Sequence, residues 1–112
     1  MDIELYWASK NGYTALVQIL LEQNPLLKKN DALFVAIENE YWEITKLLIE
    51  ADADIQTYLP NALRVFSKNL EAIQYLVRFG PNKEDISEAI KETMKYGYTE
   101  IEEFLKTCEI RS

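Results

Sequence analysis

Histidine is absent from this 112-residue chain, cysteine occurs once, at Cys108, and glycine and proline number three each. Without histidine the chain lacks the commonest general base, metal ligand and activator of a nucleophile. The composition therefore predicts a protein that is not an enzyme and needs no cofactor. A lone cysteine excludes an intramolecular disulfide and a thiolate metal cluster, and leaves Cys108 to act as a small apolar residue of the last helix. No apolar run approaches the ~18 residues of a membrane span, and Met1-Asp2-Ile3-Glu4 lacks the basic and apolar parts of a signal peptide. These gaps predict a soluble, intracellular protein, most simply cytoplasmic, with no membrane contact. A cationic excess is missing too: the net charge is −7, so the surface repels phosphate backbones and direct nucleic-acid binding is not expected.

What the chain does have is a repeat. GYTALVQILLEQN from Gly12, EYWEITKLLIEAD from Glu40, NLEAIQYLVRFG from Asn69 and GYTEIEEFLKTC from Gly97 start 28, 29 and 28 residues apart. A fixed period of this size means stacked units, because one unit cannot bury its own apolar face. At 48% hydrophobic residues the chain can build one core, so the expectation is a single domain over 1–112, with repeats at about 1–29, 30–58, 59–83 and 84–112.

Within each repeat the apolar spacing is helical twice. Leu33, Ala36 and Ile37 mark a first helix of the second repeat, and Ile44, Leu47 and Leu48 a second one. The turn between them holds Gly12, Glu40, Asn69 or Gly97, where glycine and asparagine readily adopt a positive φ and Glu40 is the exception. Thr14 and Thr99 read as caps, Thr99 with Glu102 at capping-box spacing, and Asp85 with Glu88 as a similar box. Asn24-Pro25, Leu59-Pro60 and Gly80-Pro81 punctuate the units. The predicted helices are 2–11 with 14–23, 31–39 with 42–51, 60–68 with 70–79, and 85–96 with 99–108.

These residues resemble ankyrin repeats. The stretch ALFVAIENEYWEITKLLIEADADI from Ala32 is similar to the family's leucine and alanine in a first helix, turn, Glu-Ile, Leu-Leu and final Ala-Asp-Ile. Ala8, Lys10-Asn11-Gly12-Tyr13 and Leu16 to Leu21 repeat the match, and the third and fourth units carry it more loosely. The family's unit is about 33 residues, and its threonine-proline-leucine-histidine segment is missing here. The resemblance implies an all-α solenoid of four stacked helix-turn-helix repeats with the projecting β-hairpins shortened or absent.

Ankyrin resemblance also implies protein recognition on the exposed face of the first helices. With Ala8, Ala36, Val65 and Thr93 taken as buried, that face would hold Trp7, Lys10 and Asn11, then Val35, Glu38 and Asn39, then Arg64, Ser67 and Lys68, then Glu92, Lys95 and Tyr96. Trp7, Arg64 and Tyr96 are the strongest of these, since aromatics and arginine dominate interface energetics. Trp42 replaces Thr14, Glu71 and Thr99 of the other repeats, and is either a contact anchor or folded onto a neighbouring unit. Tyr13, Tyr41 and Tyr98 share one site after the turn and read as packing.

The second-helix sites Val17 and Leu21 become Thr45 and Ile49, then Gln74 and Arg78, then Glu102 and Lys106, a rise in polarity that suits a C-terminal cap. At the other end Tyr6, Trp7, Leu20, Leu21, Leu26 and Leu27 form an apolar group. Either it docks a partner, a second copy giving a homodimer included, or Tyr6 and Leu20 pack inward. The expected function is a protein-protein interaction module, an adaptor or effector. The alternative is an acidic viral or phage inhibitor that blocks a nucleic-acid-binding protein by presenting carboxylates in place of phosphates. Glu38, Glu40, Glu43, Glu50, Asp52 and Asp54, facing Lys46 alone, favour it; Arg64, Lys68, Arg78 and Lys83, facing only Glu71, oppose it.

Overall fold

A helix ends where its last carbonyls find partners, and one closure recurs along this chain. After Lys10, the Gly12 N–H bonds to Ser9 O and the Tyr13 N–H to Ala8 O at 3.0 Å, with Gly12 at φ 77°. The same pair of bonds closes on Glu40 (φ 61°) and Tyr41, on Asp52 (φ 73°) and Ala53, and on Gly97 (φ 75°) and Tyr98. Each is a Schellman cap, in which a left-handed residue lets two successive N–H groups reach back to orphan carbonyls. The backbones of Tyr13, Tyr41 and Tyr98 thus act alike, since each closes one helix and stands immediately before the next.

The computed structural model describes residues 2–111. They form eight α-helices, α1 (Ile3–Lys10), α2 (Thr14–Gln23), α3 (Asn30–Glu38), α4 (Trp42–Glu50), α5 (Ile55–Val65), α6 (Leu70–Leu76), α7 (Lys83–Tyr96) and α8 (Thr99–Arg111), with a 3₁₀ turn at Val77–Phe79 after α6. No strand occurs among the described residues, in keeping with the all-α expectation and its missing hairpins. None of the described helices is long and apolar enough to cross a membrane.

The chain divides into two compact units, Met1–Tyr58 and Leu59–Ser112. In the first, α1 packs on α2 and α3, and α4 on α2 and α3. Its buried side chains recur at matching register: Leu5 and Ala8 on α1, Leu33, Ala36 and Ile37 on α3, Val17, Leu20 and Leu21 on α2, and Ile44, Leu48 and Ile49 on α4. Each fully buried leucine or isoleucine contributes about 1.5–3 kcal/mol of transfer free energy. In the second unit α8 packs on α6 and α7, and Ala72, Ile73, Leu76, Ile86, Ala89, Ile90, Ile101 and Leu105 are buried. Two buried hydroxyls are satisfied by their own helices, Thr45 Oγ1 donating to Tyr41 O at 2.8 Å and Thr93 Oγ1 to Ile90 O at 2.7 Å. Ser9 Oγ is buried without a partner.

Several boundaries differ from the sequence reading. The third repeat's first helix runs Ile55–Val65 rather than 60–68, so Pro60 lies inside it. Asp54 starts it, accepting from Thr57 Oγ1 at 2.7 Å, and Leu59, Ala62, Leu63 and Phe66 make a continuous buried stripe. That stripe outweighs the hydrogen bond Pro60 cannot donate. Asn69 is not the left-handed residue of its turn: at φ −119° it caps α6, its Oδ1 accepting from Ala72 N at 3.1 Å. Thr14 and Thr99 are the first residues of α2 and α8, and Asn82 caps α7 in place of Asp85, accepting from Asp85 N at 2.8 Å. Asn69 therefore matches Tyr13, Tyr41 and Tyr98, and the second-helix sites of the third repeat are Ile73 and Val77, not Gln74 and Arg78. Only the fourth repeat, at Glu102 and Lys106, is polar there.

Candidate functional site

Comparing α1 with α3 residue by residue, 28 apart, separates two faces. Ile3, Tyr6 and Lys10 on α1 correspond to Asp31, Phe34 and Glu38 on α3; all are exposed except Tyr6, which is half-buried. These are the outward positions of the first helices in this unit. Phe34 stays 40% exposed and its ring lies 5.6 Å from that of Tyr58. Lys10 and Glu38 put opposite charges at equivalent points beside it.

Glu4 and Trp7 belong to a different face. They are exposed on α1, while their counterparts Ala32 and Val35 are buried on α3, because α3 has α1 beside it. Val35 is accordingly a core residue, at 9% exposure, and not the partner contact expected from its register. Trp7 is 51% exposed and its ring packs at 5.1 Å on Tyr13, itself half in solvent.

Asn11 and Asn39 are exposed but already employed. Each side-chain amide donates at 2.8 Å to the carbonyl four residues back, Trp7 O and Val35 O, closing its helix end. Trp42 is buried at 7% exposure, which settles the choice between anchor and packing for the latter. A tryptophan ring at the start of α4 gains more from burial than a polar equivalent such as Thr14 would.

In the second unit Arg64 and Lys68 are exposed, but Ser67 is buried at 5% and Val65, expected to be buried, is half-exposed. The turn after α5 is the cause. It lacks a left-handed residue and closes through Ser67 N–H to Arg64 O and Asn69 N–H to Phe66 O, drawing Phe66 and Ser67 inward. Tyr96 is 58% exposed at the end of α7, its ring 6.0 Å from Tyr98 and 5.4 Å from Lys95 Nζ. Glu92 is half-buried on the same helix. On α8, Lys106 Nζ donates to Glu102 at 2.7 Å, and that bond, with the carboxylate's charge, raises the amine's pKa above the ordinary lysine value.

The six carboxylates between Glu38 and Asp54 are all exposed, yet they sit on α3, on two left-handed caps, on α4 and before α5. At the first unit's apolar end, Leu20 and Leu21 pack inward while Leu26 is 91% exposed. Sequence reasoning missed Phe34 and Tyr58. The signal was present, since Tyr6 and Phe34 are aromatics at one repeated register.

Residues 4–58 match a family model described as ankyrin repeats, in three copies, and the match ends where the first compact unit ends. No curated protein and no solved structure matches the chain.

Proposed function

Because the chain belongs, through residues 4–58, to the ankyrin repeat family, whose repeats are protein-interaction modules, we propose that it binds a partner protein on the outward face of its first helices. The observation that carries the reading is the group formed by Lys10, Phe34 and Glu38. An aromatic ring is left partly in solvent there, steadied by Tyr58 and flanked by one charge of each sign. A ring held this way loses little freedom on binding and can fill a partner's pocket, which is how aromatic anchors come to dominate interface energetics. In the second unit Arg64, Lys68 and Tyr96 take the same role. Asn11 and Asn39 contribute by holding helix ends, and Trp7 belongs to the other face.

The test is capture of partners by the purified chain, with Phe34→Ala and Glu38→Lys variants beside it. A protein retained through a high-salt wash and lost with Phe34→Ala supports the reading. Capture of a nucleic-acid-binding protein that elutes with salt and is indifferent to Phe34→Ala would replace it with carboxylate mimicry.

A further inference from the structure

In the first unit, the face of α1 and α2 opposite to α3 and α4 is open. Gln18, Leu21 and Glu22 of α2 meet Leu47, Glu50 and Ala51 of α4 along one groove. Ile19, the register equivalent of Leu47, therefore points the other way, and it is 49% exposed. On α1 the same side presents Trp7, with Tyr13 stacked on its ring. An isoleucine and two aromatics thus form an apolar patch at positions that the second repeat covers with a helix pair.

We propose that this patch docks a second copy of the chain, α1 lying antiparallel to the partner's α1 with the two-fold axis at Trp7. The charges beside Trp7 select this occupant. Glu4 and Lys10 stand three residues before and three after it, both exposed, on opposite flanks of the helix face. A two-fold axis at Trp7 carries Lys10 onto the partner's Glu4 and Glu4 onto the partner's Lys10. An isologous interface needs a surface complementary to itself, and this register supplies it. Parallel docking in the same register would set like charges together. The two rim pairs fix orientation, while the aromatic and aliphatic groups between them carry affinity.

The test is sedimentation velocity of the full chain over a concentration series, with far-UV circular dichroism to check that each variant is folded. The wild type is expected to dimerise, and Trp7→Glu to stay monomeric. Glu4→Lys alone and Lys10→Glu alone are each expected to raise the dimer dissociation constant by about tenfold or more. An equimolar mixture of those two variants restores both pairs and is expected to dimerise as well as the wild type. A wild type that stays monomeric, which would leave the patch to some other occupant, overturns the proposal. So does a dimer indifferent to Trp7→Glu, or one that mixing the charge variants fails to restore.

Discussion

Gly12 and Gly97 occupy the same point of two Schellman caps, at φ 77° and 75°, yet a side chain at each would meet different surroundings. A methyl group at Gly97 has nothing within 4 Å, whereas at Gly12 it lies 3.0 Å from Tyr41 Cζ, 3.2 Å from Cε1 and 3.3 Å from the hydroxyl oxygen. Gly97→Ala thus isolates the conformational cost. A left-handed L-residue costs about 1–2 kcal/mol, and the stiffer unfolded chain returns about 0.4–1 kcal/mol, leaving a net loss near 1 kcal/mol. Gly12→Ala carries the same loss and in addition pushes the Tyr41 ring from its seat, an overpacking cost of about 1 kcal/mol or more. The expected losses are about 1 kcal/mol for Gly97→Ala and about 2–3 kcal/mol for Gly12→Ala, the latter a large share of the ~5–15 kcal/mol that a domain has.

Urea unfolding measures both. Trp7 and Trp42 lie in Met1–Tyr58, so tryptophan fluorescence follows the unit that holds Gly12, while far-UV circular dichroism follows the whole chain. The Tyr41→Ala background completes the cycle: there the ring is gone, and Gly12→Ala is expected to cost no more than Gly97→Ala. Equal losses for the two alanines in the wild-type background would refute the close approach. A Gly12→Ala loss that persists unchanged without the Tyr41 ring would refute its assignment to that ring.

Ser9→Ala removes a buried hydroxyl with no partner and is expected to raise stability by about 1 kcal/mol in the same fluorescence assay. Asn69→Ala removes the side-chain cap on Ala72 N and is expected to cost about 1 kcal/mol in thermal unfolding; Tyr13→Ala, at the matching site with no side-chain cap, loses no such bond. Lys106 is held above the ordinary lysine pKa by its bond to Glu102, so any stabilisation is present below the unfolded lysine value and fades as pH rises through the folded one. At this exposed site solvent screening keeps it small, and Glu102→Gln is expected to return the Lys106 titration, read by NMR, toward the ordinary value.

Features decided by neighbours in sequence were legible; features decided by neighbours in space were not. The predicted limits of α2 are those found, and residue type alone marks Gly12 and Gly97 as left-handed, because turn chemistry is local. Glu40, the exception by type, adopts the same conformation at φ 61°, since the bonds from the Glu40 and Tyr41 N–H groups to Ile37 and Ala36 require it. Pro60 misleads because its breaking tendency is also local, whereas the Leu59, Ala62, Leu63 and Phe66 stripe that holds α5 depends on burial. Aligning Asn69 with Glu40 instead of Tyr41 then costs one residue of phase in the third repeat, about 100° around a helix, enough to place buried Ser67 on an exposed face. The same single step separates buried Val35 from exposed Phe34. No such rule reaches Trp7. It occupies the register of Val35, and what leaves it in solvent is the lack of a covering helix pair of the kind that α1 and α2 supply to α3 and α4. A repeat read alone predicts one environment for both positions, so the binding surfaces of a stack follow from where each repeat stands in it, and an exposed aromatic at an otherwise buried register marks an open face.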